Sequence, residues 1–172
     1  MKKFELTTET KIVLGITFYR IRALIAFGDV DAGELGGWVE NESNLSHDGD
    51  AWVYGDARVY GNARVYGDAW VYGTAEVYGD AEVYGDAWVY GDAEVNNSVH
   101  LMTVGAIGSR DGYTTFFRTK DKQIKVSCGC FLGTIAAFAE KVKETHGNSK
   151  HAKTYALAIE LAKAQIEDVE VN

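Results

Sequence analysis

The side chains with the most chemistry to offer lie near the C-terminus. Cys128 and Cys130 stand one residue apart, with His146 and His151 following; these are soft and borderline ligands of the kind that hold zinc. Their spacing argues against a metal centre, because structural zinc normally uses two-residue cysteine knuckles, whereas CxC on one strand puts both thiols on one face. His146 is better read as the last turn of a helix, where the partial negative charge favours an imidazole. The remaining histidines, His47 and His100, flank the most regular part of the chain and lie in no recognisable catalytic insertion. No Ser-His-Asp order, phosphate-cradling glycine loop or paired-carboxylate motif stands out. The sequence therefore assigns no catalytic residue, no metal and no cofactor.

Two groups suit binding rather than catalysis. Arg118, Lys120, Lys122 and Lys125 form a basic string that reads as a solvated hairpin face, or as a contact for phosphates or for an acidic neighbouring chain. Trp52, Trp70 and Trp88 recur at intervals of 18, and that interval identifies the element that positions them.

From Asp50 the chain reads DAWVYG, DARVYG, NARVYG, DAWVYG, TAEVYG, DAEVYG, DAWVYG, DAEVNN without an insertion. In each hexad Ala and Val alternate with a variable residue, as a strand with one buried face requires, and Tyr-Gly-Asp supplies the corner. Six-residue strand-and-corner units point to a parallel β-helix. If three hexads close one coil, residues 18 apart stack: Trp52, Trp70 and Trp88 in one column, Arg58, Glu76 and Glu94 in a second, Arg64, Glu82 and His100 in a third. Arg one coil below Glu favours adjacent strands and discourages register slips. Extended backwards, the frame sets Glu40 under Arg58 and puts Val39 and Leu45 in the alanine column, so the helix is expected over 38–103, three to four coils. The Ala/Val interior leaves no room for a cofactor. The corner tyrosines read as stacked shelves that shield backbone, and the aspartates as corner caps rather than a calcium loop.

The flanks are less regular. Residues 1–37 carry two apolar, β-rich stretches, Lys11–Leu14 and Ile16–Phe27, and are expected to form an N-terminal β cap over the open first coil. Residues 104–172 are expected to form a small ββαα module. Its hairpin spans Tyr113–Thr119 and Gln123–Cys128, one helix ends at Gly147, and a second starts at Asn148 or Ser149.

Composition narrows the function. The chain has 172 residues and net charge −8, with two Lys or Arg against twelve Asp or Glu in residues 38–109. Such a surface excludes direct nucleic-acid reading through the helix, although acidic columns suit a DNA mimic. There is no proline, no export-type apolar core at the start and no run of about 20 apolar residues. Two cysteines make no disulfide framework, so a reduced cytoplasmic protein without membrane contact is expected.

The aliphatic residue followed four later by a small one, as in Val53 and Ala57, resembles the left-handed β-helix hexapeptide proteins. The passage from Ile21 to Ala57, with Gly36-Gly37-Trp38-Val39 and Asn44-Leu45-Ser46, resembles uncharacterised bacterial YdcK-like proteins that carry a transferase label, and short phage or prophage repeat proteins. Gly129–Tyr155 looks like a C-terminal module of phage-encoded repeat proteins. The resemblance implies a left-handed parallel β-helix and, for a phage-type protein, work in the host cytoplasm such as counter-defence by sequestering a host protein or a small signalling ligand. Acyltransferases of this fold use a histidine near a loop extruded from the coils, which this chain lacks. The expected function is a non-enzymatic, self-associating binding protein; a hexapeptide acyltransferase, an acidic DNA mimic and a structural particle component are the alternatives. Three outward tryptophans at about 150–250 Å² each would make a patch of about 450–750 Å², too large to stay wet on most monomers. A homotrimer with the ladder at its interface is the expected covering, ahead of the chain's own C-terminal helices or a stacking ligand.

Overall fold

The computed structural model of the protein describes residues 1–166; the last six residues of the expected C-terminal module lie outside the described residues. The protein is mainly β, and it divides into two units, Met1–Ser98 and the residues from Val99 onward. None of the described helices is long and apolar enough to cross a membrane.

The first unit opens with β1 (Phe4–Val13) and β2 (Ile16–Ala23), an antiparallel hairpin. Leu14 and Gly15 both take positive φ at its tip, the backbone of a tight hairpin turn. After β3 (Leu35–Val39) come eight two-residue strands at six-residue intervals. They are β4 (Trp52–Val53), β5 (Arg58–Val59), β6 (Arg64–Val65), β7 (Trp70–Val71), β8 (Glu76–Val77), β9 (Glu82–Val83), β10 (Trp88–Val89) and β11 (Glu94–Val95). Every third strand pairs in parallel. Trp52 lies beside Trp70 and Trp70 beside Trp88; Arg58 pairs with Glu76, Glu76 with Glu94, and Arg64 with Glu82. This is a β-solenoid of about three turns. Its core is monotonous: every Ala and Val of the hexads from Ala51 to Val95 is fully buried. The corners need glycine. A Cβ on Gly67, at φ +70°, would stand 2.9 Å from the backbone nitrogen of Gly85 one coil on.

The N-terminal register differs from the expected frame. Val39 pairs with Val59 and Leu45 bridges Val65, while Trp38, not Glu40, lies beside Arg58. The first turn is therefore two residues longer than the rest, because the segment between Leu45 and Ala51 does not keep the hexad pattern. Glu40 instead accepts the Gly61 N–H at 2.7 Å. The solenoid also stops at Val95 rather than near 103.

The ladder has a direction that explains the cap. Backbone N–H groups of Trp52, Arg58, Arg64 and Trp70 donate to the carbonyls of Ala69, Ala75, Ala81 and Ala87 in the next coil, so the carbonyls of the first full coil point out of the N-terminal end. Such an edge templates pairing with another chain. Three devices close it. The Lys3 ammonium donates to Gly49 O at 3.0 Å and Ala51 O at 2.8 Å. The Asn44 amide donates to Gly61 O at 3.1 Å and Ala63 O at 2.8 Å. On the third side the N–H groups of Trp38 and Glu40 reach Ala57 O and Val59 O. Because β1, β2, β3 and β5 belong to one sheet, cap and solenoid form one unit.

The second unit is ββββαα rather than ββαα. β12 (Leu101–Ile107), β13 (Gly112–Arg118), β14 (Ile124–Cys128) and β15 (Phe131–Thr134) form an antiparallel meander in chain order. Leu101–Thr103, assigned in sequence to the last coil, belongs to β12. The short β15 follows Gly129 directly and its last residue, Thr134, is already the α1 helix cap. α1 (Ile135–His146) ends on Gly147, and α2 (Lys150–Gln165) starts from the Ser149 cap. Phe116, Val126, Phe138, Tyr155, Ile159 and Ala162 carry the core between sheet and helices.

Candidate binding surface on the tryptophan face

The repeat puts an indole at the outward position of β4, β7 and β10, but the three do not share one environment. Trp52 is 0% exposed. Phe27 and Phe4 meet its ring edge-on at 5.3 and 6.3 Å, and a Cβ on Gly36 would come within 2.6 Å of it, so the cap closes over this rung. The indole N–H makes no hydrogen bond among the described residues. Trp70 is half-buried, and Trp88 is 45% exposed. Their rings lie 6.3 Å apart at 31°. The three-rung patch expected from sequence is thus reduced to the uncovered parts of two indoles, about 100–200 Å², less than a monomer's usual largest apolar patch. The covering over Trp52 is the N-terminal segment, an occupant that the sequence reasoning did not weigh.

The tyrosine corners border this face and show a pairing the sequence did not disclose at first sight. Tyr60, Tyr66 and Tyr78 donate their hydroxyls to Glu76, Glu82 and Glu94, at 3.3, 3.1 and 2.6 Å, always 16 residues on. The signal was available: once a coil is 18 residues, the variable residue two places before the next stacked tyrosine is the neighbour. At the same offset Tyr72 meets Trp88 instead, edge-on at 6.4 Å and 79°, while it stacks on Tyr90 at 4.6 Å and 8°. The Trp88 plane therefore runs along the tyrosine stack rather than parallel to its rings. Burial, with Tyr90 next, pushes the Tyr72 hydroxyl up to about 12, and burial followed by the Glu76 charge raises Tyr60 well above the ordinary tyrosine value. These phenols are proton holders, not bases.

The other singled-out residues are engaged or dispersed. Arg118 is only 7% exposed, so it is not part of a basic surface. It closes β13, whose residues from Thr114 onward are buried on both faces of the strand. Lys120 and Lys122 are exposed and Lys125 is half-buried. The turn that carries them is built locally. Thr119 bonds Asp121 and accepts the Gln123 N–H at 3.1 Å, and the Thr119 bond holds the Asp121 carboxyl below its ordinary value. Cys128 accepts a bond from the Thr114 hydroxyl at 3.2 Å and lies 3.8 Å from the Tyr155 hydroxyl, while Cys130 is exposed. His146 and His151 have ring centroids 5.7 Å apart, and His146 stacks on Tyr155. Among the described residues no three His, Cys, Asp or Glu side chains converge on one point. His47 stacks on Phe4 at 4.3 Å, accepts the Lys3 N–H through Nδ1 at 3.2 Å and faces Glu42 through Nε2 at 2.8 Å. An acceptor Nδ1 fixes the proton on Nε2, and the ring is a clamp for the cap. His100 is buried in the turn Ser98–His100 that precedes β12.

A family model described as YdcK Beta solenoid repeat matches residues 57–73, within the first two coils and including Trp70. No curated protein matches the chain. The match agrees with the observed solenoid and extends to neither flank.

Proposed function

We propose that the protein is a non-enzymatic binding protein whose recognition surface is the Trp70–Trp88 face of a left-handed hexapeptide β-helix. The observation that carries this reading is the exposure of Trp88 beside Trp70 on a rigid wall of closed Ala/Val coils, where an indole gives large contact area at little entropic cost. The handedness rests on the hexad pattern and its resemblance to left-handed helices. Support for a binding rather than a catalytic role comes from His47, which is committed to Phe4, Lys3 and Glu42, and from the sealed core.

A second copy is the first occupant to test, because a three-sided helix offers a whole side to a trimer axis. Multi-angle light scattering of the wild type and of Trp70→Glu decides it. A trimer that dissociates in the variant places the face at the subunit interface. A wild-type monomer, or a variant that stays fully trimeric, removes self-association from this face and leaves it to another partner.

A further inference from the structure

We propose that the basic cluster around Trp38, formed by Lys11, Arg20 and Arg58 on the outer face of the first turn, is a binding site for a phosphate group; it stands apart from the Trp70–Trp88 face and does not depend on it. The strand register assembles the cluster. Arg20, Trp38 and Arg58 are lateral neighbours across β2, β3 and β5, and Lys11 of β1 stands opposite Phe18, two residues from Arg20 and so on the same face. The Lys11 ammonium lies 4.2 Å and the Arg20 guanidinium 5.1 Å from the centre of the Trp38 ring, while the Arg58 guanidinium packs on Phe18 at 5.8 Å. All three cations are half-buried, so each keeps part of its surface open to solvent.

Two observations call for an anion there. The first is hydrogen bonding. Arg20 Nε, Trp38 Nε1 and Arg58 Nε are buried and have no hydrogen-bond partner among the described residues. Three neighbours in one row thus each carry an orphaned donor, and the group that complements such a row is an acceptor. The second is charge. Of the carboxylates on this side, Glu76 is engaged by Arg58 at 2.6 Å and by the Tyr60 hydroxyl at 3.3 Å, Glu40 accepts the Gly61 N–H, and Asp56 is exposed at a corner. Lys11 and Arg20 form no ion pair among the described residues. Burial, with Arg58 and Arg20 adding to it, holds the Lys11 ammonium below the ordinary lysine value against the pull of Asp56 and Glu76, as expected where like charges crowd. The donor set selects phosphate over a carboxylate. One guanidinium satisfies a planar carboxylate, whereas a tetrahedral dianion offers oxygens to donors that come from four strands. The Trp38 ring is already met by two cations, so the site offers donors rather than a stacking face.

The experiment titrates the full-length protein with inorganic phosphate and with glycerol phosphate, against acetate and chloride at matched ionic strength, following the indole N–H resonances and the heat of binding. Saturable phosphate binding that moves the Trp38 indole N–H is expected. It should weaken about ten-fold in Arg20→Gln and about three-fold in Lys11→Met, by less in Arg20→Lys than in Arg20→Gln, and not at all in Lys141→Met, which removes an equal charge from α1. Phosphate should also raise the melting temperature of the wild type and leave that of Arg20→Gln unmoved. If Arg20→Gln fails to fold, Lys11→Met carries the test. Tighter binding of glycerol phosphate than of inorganic phosphate supports the site with a small phosphorylated molecule as the source, and equal binding supports it with the free ion. The absence of saturable phosphate binding, binding that ignores both Arg20→Gln and Lys11→Met, or acetate binding as tight as phosphate overturns the assignment.

Discussion

Trp52 and Trp88 hold the same place in the repeat, two coils apart in one parallel ladder, yet one is wholly buried and the other is 45% exposed. Nothing in the hexads that carry them, DAWVYG in both cases, distinguishes the two. The difference comes from residues 16 or more positions away: Phe4, Phe27 and Gly36 close over Trp52. A repeat fixes where a side chain points from the coil. Whether that direction leads to water or into a core depends on what the rest of the chain lays against it. In the first case the indole is a structural anchor, and in the second it keeps 45% of its surface exposed.

The comparison is broken most directly by truncation. Trp52→Ala should destabilise the first unit by about 3–5 kcal/mol, the range for emptying a well-packed aromatic site, measured by urea unfolding with the midpoint falling at nearly constant slope. Trp52→Phe should cost clearly less, because the indole N–H makes no hydrogen bond among the described residues and an aromatic ring still fills the space between Phe4 and Phe27.

Alkaline titration sharpens the contrast between the capped first coil and the later coils, with a somewhat smaller effect. Lys3 lies in the same cap, with its ammonium against two carbonyls and 4.7 Å from the centre of the Phe27 ring; burial lowers its pKa to about 8, against which the nearby Asp50 acts in the opposite sense. Between pH 8 and the unfolded value of 10.5 the unfolded chain binds a proton that the folded chain does not. Stability therefore rises with pH across that window, by about 3 kcal/mol in total if this group acts alone. Tyr60, Tyr66 and Tyr72 work the other way. Their hydroxyls are raised above the ordinary 10.0, so the unfolded chain ionises first and stability falls from about pH 10 upward. Denaturation midpoints from pH 7 to 11 should pass through a maximum, and Lys3→Met should abolish the rise while keeping the fall. A monotonic decline in the wild type would show that Lys3 is not held as described.

The smallest effect is expected at the other rung. Trp88→Ala should cost about 1–2 kcal/mol by the same urea measurement, because its ring packs on Trp70 and Tyr72 but is 45% exposed. A loss comparable to Trp52→Ala would mean that Trp88 is anchored too, and would end the contrast between the two.

The first two predictions rest on contacts that a reading of the chain in isolation does not supply, and the reason is specific. Lys3 follows a methionine and another lysine and looks like a charged terminus. Only the polarity of the ladder, with carbonyls facing the N-terminal end, makes an ammonium useful there. Asn44 is similar: it reads as part of a polar loop and acts as a bidentate substitute for the strand that is missing below β6. Arg118 errs the other way. Its neighbours Lys120 and Lys122 suggest a solvated strip, but strand alternation and burial on both sides of β13 take it inside. The tyrosine-to-glutamate bonds, by contrast, follow from the period alone, since an 18-residue coil puts residue i+16 beside residue i.

By itself the sequence determined the solenoid, with its six-residue period, the 18-residue stacking of tryptophans and charges and the all-Ala/Val interior, and also two helices parted at Gly147, the second starting at Asn148 or Ser149. These are local or periodic properties, written wherever each residue meets a copy of its own environment one coil away. Tertiary structure decided what happens where that periodicity ends. It set the two extra residues of the first turn, the capping of open carbonyls by Lys3 and Asn44, the four-stranded meander in place of a hairpin, and which tryptophans are covered. At a boundary a residue's neighbours come from distant, non-repeating segments, and satisfying backbone groups and filling volume there is a property of the assembled chain rather than of any local pattern.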